Sequence, residues 1–187
     1  MTSTLVRATL AAALACGSFI AAPSDAQAAG SQCAAIRATT VAGYNFSRLP
    51  TRRVCKQDLR HGVSGTSSQA TRTITVHYAR STSTTSASKA TLHEMTHQVE
   101  YRTTPAQRAA LYRYLGIRTS GNYYAFNDAW YYTGSLSRWK ASPRERLAES
   151  VVNCRYGRPN HTGMSLVPRY RCTAFLNQYK AALSVAR

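Results

Sequence analysis

Residues 93–97 read His-Glu-Met-Thr-His, and this short motif makes the strongest demand on the fold of the chain. Residues four apart lie one above the other on one face of an α-helix, so His93 and His97 can present two imidazoles to one metal ion. A glutamate directly after the first histidine, here Glu94, is typical of zinc sites in which this carboxylate acts as a general base. The motif therefore predicts a helix, with a third metal ligand supplied from elsewhere in the chain.

The residues around the motif favour a helix over residues 88–102. Leu92, Met95 and Val99 recur at helical spacing and form an apolar stripe, whereas the two histidines share a different side of the helix. The alternative interpretation is a helix in which both histidines are ordinary surface residues. The motif and the apolar stripe together favour a zinc site.

Acidic side chains are scarce, with 7 Asp and Glu against 24 Lys and Arg and a formal net charge of +17. Those beyond residue 28 are Asp58, Glu94, Glu100, Asp128, Glu145 and Glu149. Glu100 follows His97 by only three residues on the same helix, which makes it a poor third ligand. Glu100 and Thr103 also exclude the metzincin pattern, which has glycine and histidine at these two positions.

Glu145 and Glu149 are the preferred candidates for the remaining roles, since they lie four residues apart on a helix predicted over residues 142–157. If this helix packs against the motif helix, one carboxylate can bind the metal while the other accepts the N–H of a ligating histidine. One alternative is that both carboxylates are exposed ion-pair partners of the neighbouring arginines. Another is that Asp128 supplies the third ligand.

The histidine motif and the later stretch Ser-Pro-Arg-Glu-Arg-Leu-Ala-Glu at residues 142–149 resemble the gluzincin metallopeptidases. The resemblance extends over residues 88–157. It concerns in particular the catalytic domain of anthrax lethal factor and the secreted Pro-Pro endopeptidases, in which a helix reading roughly Glu-x-Phe-Ala-Glu follows the histidine helix. It implies a zincin-like fold and a secreted, zinc-dependent peptidase that hydrolyses peptide bonds.

The resemblance also implies a role for each candidate residue. Zinc would be bound by His93, His97 and Glu145. Glu94 would be the general base, and Glu149 would contact a ligating histidine rather than the metal.

Other groups are needed to stabilise the oxyanion and to align the substrate. The family places a catalytic tyrosine before the third ligand, and the nearest tyrosines here, Tyr131 and Tyr132, are therefore catalytic candidates. His161 or an arginine could act instead. Residues 72–80 alternate between apolar and polar side chains and predict a half-buried strand, which could be the edge along which an extended peptide aligns.

The first 28 residues have the pattern of a secretory signal peptide, with Arg7 before an apolar stretch and Ala-Gln-Ala at residues 26–28. Removing them leaves 159 of the 187 residues, predicted as one secreted domain over residues 29–187. Four cysteines then remain and favour two disulfides. Proximity favours the pairs Cys33–Cys55 and Cys154–Cys172. A zinc cluster of cysteines is the alternative, but the chain has no Cys-x-x-Cys pair.

The predicted elements are one strand and four helices, which indicates a mainly helical α+β domain with a small sheet. Besides the two helices already described, helices are predicted over residues 104–116 and 168–182. Residues 61–72 are rich in glycine, serine and threonine and predict a loop. No apolar run beyond the signal segment is long enough to span a membrane.

The basic composition leaves a second function open, that of a secreted module that binds polyanions without catalysis. Arginines interleaved with tyrosines, as at 155–156 and 169–171, could contact nucleic acid or a cell-envelope polymer. Because the arginines are spread along the whole chain, a solvated basic surface is the favoured interpretation. We expect a monomer that acts on a protein or peptide substrate, with an anionic envelope polymer as the alternative partner and no specific nucleic acid.

Overall fold

A computed structural model describes residues 25–117 and 135–186 of the chain. Its helices are α1 (Asp25–Arg37), α2 (Thr84–Arg102), α3 (Pro105–Arg113), α4 (Leu136–Ala141), α5 (Pro143–Tyr156) and α6 (Cys172–Val185). Its strands are β1 (Thr40–Val41), β2 (Tyr44–Asn45), β3 (Arg52–Lys56), β4 (Val63–Ser68) and β5 (Thr73–Tyr78). The mainly helical α+β class predicted from the sequence is confirmed.

The three longer strands form one sheet in the order β3-β5-β4, with β5 parallel to β3 and antiparallel to β4. The apolar alternation of β5 is confirmed, since Ile74, Val76 and Tyr78 are buried. The expectation that β5 is the edge strand is wrong, because both of its neighbours are paired with it. Among the described residues, β4 pairs only with β5 and forms an edge.

The predicted loop over residues 61–72 is wrong where β4 lies. β4 reads Val-Ser-Gly-Thr-Ser-Ser and contains a single large apolar residue, so its sequence lacks the alternation that marks a half-buried strand. It is a strand because each of its residues pairs with β5, from Val63 opposite Tyr78 to Ser68 opposite Thr73. The pairing partner, rather than the local sequence, determines this element.

Helix α2 runs through the centre of the molecule and contacts α1, α5, β4 and β5. It begins four residues earlier than predicted, because the Ser83 side chain caps it by accepting a hydrogen bond from the backbone N–H of Ser86. Leu92, Met95 and Val99 are fully buried, which confirms the apolar stripe. The two histidines are also buried, so the interpretation as surface histidines is wrong.

The remaining helices complete the core around α2. Thr104 and Gln107 form a capping box at the start of α3, and α5 ends at Gly157 with a left-handed backbone (φ 80°) that a glycine tolerates. The helix predicted over residues 168–182 is a turn of 3-10 helix at Arg169–Arg171 followed by α6. None of the helices among the described residues has the length and apolar character needed to span a bilayer.

Two disulfides join distant elements, with the pairing that proximity favoured. Cys33–Cys55 joins α1 to β3, and Cys154–Cys172 joins the end of α5 to the start of α6. The alternative of a cysteine zinc cluster is therefore wrong. Loops of 22 and 18 residues are closed by these bonds, and each closure stabilises the fold by about 3 kcal/mol in the chain-entropy account.

Candidate metal centre

Three donor atoms from two helices converge on one point. His93 and His97 project from α2, and Glu145 projects from the first turn of α5. Nε2 of His93 lies 3.2 Å from Nε2 of His97 and 2.9 Å from Oε2 of Glu145, while Nε2 of His97 lies 3.5 Å from Oε1 of Glu145. This group of one ligand atom per residue can hold a metal ion.

The separations of these donor atoms match the geometry of a small tetrahedral cation. Metal–ligand bonds of 2.0–2.1 Å at tetrahedral angles place neighbouring ligand atoms about 3.3 Å apart. The 3.2 Å between the two Nε2 atoms matches this value, and Nε2 of His93 and of His97 lie 2.9 and 3.5 Å from the two different carboxylate oxygens of Glu145. Two ring nitrogens and a carboxylate that face one another at this distance are all satisfied by a cation between them.

Burial and ion pairing set the charge at this group. Burial alone would lower the pKa of His93 and of His97, but the neighbouring carboxylates outweigh burial, so both pKa values are raised. Conversely, burial would raise the pKa of Glu145, but the two histidines outweigh it and hold the pKa far below its usual value. Glu145 is therefore an anion, the form that binds a metal.

Glu149 lies behind His93, one helical turn after Glu145. Its carboxylate is fully buried, and Oε1 lies 3.0 Å from Nδ1 of His93, a close ion-pair contact whose angle departs from that of a hydrogen bond. Its other oxygen accepts a hydrogen bond of 2.8 Å from the backbone N–H of Asn160. The contact favours a proton on Nδ1 of His93, which leaves the lone pair of Nε2 directed at the candidate metal position.

Glu94 is held against the edge strand of the sheet. A β-carbon added to Gly65 of β4 would lie 2.6 Å from both Cγ and Oε1 of Glu94, closer than a side chain allows. Only glycine at position 65 lets the carboxylate occupy this place. Burial raises the pKa of Glu94, although His93 and His97 lower it in part. A carboxylate with a raised pKa in a cavity is suited to accepting a proton near neutral pH.

The alternative that Glu145 and Glu149 are exposed ion-pair partners of the neighbouring arginines is wrong, because both side chains are largely buried and, in the described part of the chain, their ion pairs are with the histidines. Nε of Arg144 lies 3.3 Å from Oε1 of Glu100, and this buried pair joins the start of α5 to α2. Arg146 instead donates hydrogen bonds to the backbone carbonyls of Ser165 and Leu115. The arginines position α5, which leaves its two glutamates facing the histidines.

The candidate metal centre lies in a cavity of about 970 Å³. This volume falls within the range of sites that bind small molecules or peptide segments. One wall is the edge strand β4, from Val63 to Ser67, and the other includes Trp139 of α4 and the loop of residues 158–161. The cavity therefore exposes the metal centre and Glu94 to a ligand.

Four of the proposed site residues come together with Glu149 as the sequence predicted: His93, Glu94, His97 and Glu145. The predicted catalytic tyrosines Tyr131 and Tyr132 lie outside the described residues, as does the alternative ligand Asp128. His161 lines the cavity, with its ring 4.7 Å from that of Trp139. Sequence reasoning missed Gly65 and Lys89, because both reach the cavity through long-range packing that no local pattern records.

No protein-family model, no curated protein and no solved structure matches the chain. The chemistry of the site therefore follows from its own side chains. These are a buried pair of imidazoles and a carboxylate that can hold a metal ion, beside a second carboxylate in a cavity open to ligands.

Proposed function

We propose that this chain is a zinc-dependent metallopeptidase. The observation that carries the proposal is the convergence of His93, His97 and Glu145, whose donor atoms lie within 4.8 Å of one another, in the same cavity as the carboxylate of Glu94. Two imidazoles and one carboxylate are a donor set that zinc favours in catalytic sites, and three protein ligands leave one position open. Glu149 behind His93 supplies the carboxylate–histidine contact that accompanies such ligands.

Different residues of the chain have different roles in amide hydrolysis. Zinc held by His93, His97 and Glu145 would supply Lewis-acid chemistry to the scissile carbonyl and to a water molecule. Glu94 accepts the proton of the attacking water and passes it to the departing amine. Glu149 holds the tautomer and orientation of His93. Stabilisation of the oxyanion by Tyr131 or Tyr132 stays a prediction, and His161 in the cavity wall is the described candidate for this role.

The edge strand β4 supports a peptide as the substrate. Its residues from Val63 to Ser67 line the cavity, and among the described residues the only strand paired with β4 is β5. An extended peptide can add to such an edge through backbone hydrogen bonds. We therefore propose that an extended peptide aligns along β4, which lies beside Glu94, and not along residues 72–80 as the sequence suggested.

We further propose that the protein acts outside the cell, after removal of residues 1–28. The two disulfides support this location, since such bonds persist in oxidising compartments. Analysis of the mature protein by mass spectrometry tests it. A secreted form that begins near residue 29 with four oxidised cysteines is expected, whereas a cell-retained form with reduced thiols would contradict it.

A peptide-library digest tests the proposed activity. The purified protein, loaded with one equivalent of zinc, should cleave peptides, and a chelator should abolish cleavage. Glu94→Gln should lower kcat by at least about 100-fold while zinc stays bound, because a general base contributes about 10²–10⁴-fold. Asp58→Asn is the matched control, since this exposed carboxylate does not line the cavity and should retain full activity. Equal activity of the Glu94→Gln variant would contradict the proposal.

One exposed feature favours binding of polyanions as a second candidate function. Tyr170 is 87% exposed and lies between Arg169 and Arg171 in the 3-10 turn before α6. An exposed aromatic ring between guanidinium groups can stack on a base or contact a phosphate polymer. Salt-sensitive binding of polyphosphate that is lost in Tyr170→Ala would support this function. If the zinc-loaded protein cleaves no peptide, polyanion binding would be the remaining candidate function.

A further inference from the structure

One end of the cavity is basic. It is formed by Lys89 and by residues 158–161, and we call it the basic end. Lys89 precedes His93 by four residues and so lies on the same face of α2, one turn toward the start of the helix. Its ammonium donates a hydrogen bond of 3.3 Å to the carbonyl of Arg158, and the residue is only 7% exposed.

Among the described residues, the basic end meets negative charge at Glu149, whose carboxylate accepts hydrogen bonds from the backbone N–H groups of Asn160 and His161. Among the described residues that line the cavity, the carboxylates are those of Glu94, Glu145 and Glu149, all of which belong to the metal centre. Within the described part of the chain, neither Lys89 nor Arg158 forms an ion pair. Within the described residues, Glu149 therefore offsets only part of the positive charge of Lys89 and Arg158, since its carboxylate also faces His93.

The ammonium group of Lys89 has N–H donors that make no hydrogen bond in the described structure. An ammonium has three N–H donors, and in the described structure that of Lys89 makes one hydrogen bond, to the Arg158 carbonyl. On another side it lies 5.5 Å from the centre of the Tyr156 ring, a cation–π distance. Burial and the nearby Arg158 guanidinium lower the pKa of Lys89, and Glu149 raises it in part. An anion bound between the two cations would relieve this repulsion.

The basic end is fixed close to the metal centre. The backbone N–H of Asn160 donates to Glu149, which in turn contacts His93, so the loop of residues 158–161 is tied to a metal ligand. On its outer side, the ring of His161 packs edge-to-face on Trp139. A substrate group that reaches this end therefore lies on the side of the metal centre where Glu149 contacts His93.

We propose that the basic end binds a carboxylate of the substrate, next to the scissile bond. This inference rests on the proposed peptidase function and specifies its substrate class. The carboxylate belongs either to an Asp or Glu side chain or to the free C-terminus of a peptide, and both sources present the same charged oxygens to Lys89 and Arg158.

Peptide binding measured without turnover tests the proposal. Zinc-loaded Glu94→Gln protein is titrated by calorimetry with three forms of one peptide: neutral with an amidated C-terminus, neutral with a free C-terminus, and acidic with an amidated C-terminus. We expect one of the two carboxylate-bearing forms to bind about tenfold more tightly than the neutral amide, as for one hydrogen bond to a charged group. Which form gains identifies the source of the carboxylate.

Charge-removing variants then assign the effect to the basic end. Lys89→Met and Arg158→Gln should each remove most of the gain and leave binding of the neutral amide unchanged. Arg158→Gln keeps the backbone carbonyl that Lys89 contacts, so it remains informative if Lys89→Met folds poorly. Lys180→Met is the matched control, because this exposed lysine on α6 does not line the cavity. It should keep the full gain.

The outcomes separate this inference from the proposed activity. Equal binding of all three peptides, or a gain that persists in both variants, overturns the carboxylate subsite. If the wild-type protein cleaves all three peptide forms equally well, the peptidase proposal stands and the subsite falls. If carboxylate-bearing peptides bind selectively through Lys89 and Arg158 but the zinc-loaded wild-type protein cleaves none, the subsite stands and the peptidase proposal falls.

Discussion

Gly65 on the edge strand and Glu94 on the central helix are in such close contact that a β-carbon at position 65 would lie 2.6 Å from Oε1 of Glu94. The contact links the sheet to the proposed general base. It places the Glu94 side chain directly against the backbone of β4, in the wall of the cavity. It also gives the account a test that leaves the three metal donors untouched.

Gly65→Ala should displace the Glu94 carboxylate and lower kcat by about 10- to 100-fold, since a misplacement of about 1 Å costs this much. Zinc content should be unchanged, because the added methyl group meets Glu94 rather than a metal ligand. Steady-state kinetics and metal analysis of the same preparation give both values. Gly30→Ala, where a β-carbon meets nothing within 4 Å, is the control and should be fully active. Full activity of Gly65→Ala would mean that Glu94 is not positioned by this contact.

Glu149→Gln should weaken zinc binding by about 10- to 100-fold, the usual effect of altering the partner of a ligating histidine. Glutamine can still accept the hydrogen bond from the Asn160 N–H, so the loop should stay in place. Its neutral amide, however, loses the charge that faces Nδ1 of His93. Competition with a chromogenic chelator measures the affinity. An unchanged affinity would show that Glu149 serves the fold and not the metal centre.

The buried pair Glu100–Arg144 should make a large contribution to the stability of the fold. Tyr112 donates a hydrogen bond of 2.8 Å to the same oxygen of Glu100 that Arg144 contacts. Removing one charge leaves the other buried, so Arg144→Met should lower the free energy of unfolding by about 3–5 kcal/mol. The double variant with Glu100→Gln should recover part of this loss. Urea unfolding in a double-mutant cycle measures the coupling, and strictly additive effects would contradict a direct pair.

Local patterns predicted the parts of the site that lie on single elements. The four-residue spacing of His93 and His97, and of Glu145 and Glu149, places each pair on one helix face whatever the tertiary structure. The apolar stripe at Leu92 then requires α2 to be buried. Proximity along the chain likewise favoured the observed disulfides, because short loops cost the least entropy to close.

The rest depends on packing between distant segments. Gly65 is one glycine in a polar stretch, and only its approach to Glu94 gives it a role. The partner of Arg144 is Glu100, 44 positions away, although two glutamates lie closer along the chain. The strand that borders the cavity is β4 rather than β5, because the sheet order places β5 in the centre. No periodicity in one segment encodes such choices of partner.

The metal content of the purified protein shows whether His93, His97 and Glu145 form a zinc site. Elemental analysis of the wild-type chain after dialysis against zinc should find one zinc per chain, and His97→Ala and Glu145→Ala should each reduce the bound zinc to a small fraction of this. The variant Asp58→Asn, whose carboxylate lies outside the cavity, should keep the full equivalent. A wild-type protein that holds no zinc, or variants at His97 and Glu145 that hold as much as the wild type, would contradict the assignment of the metal centre.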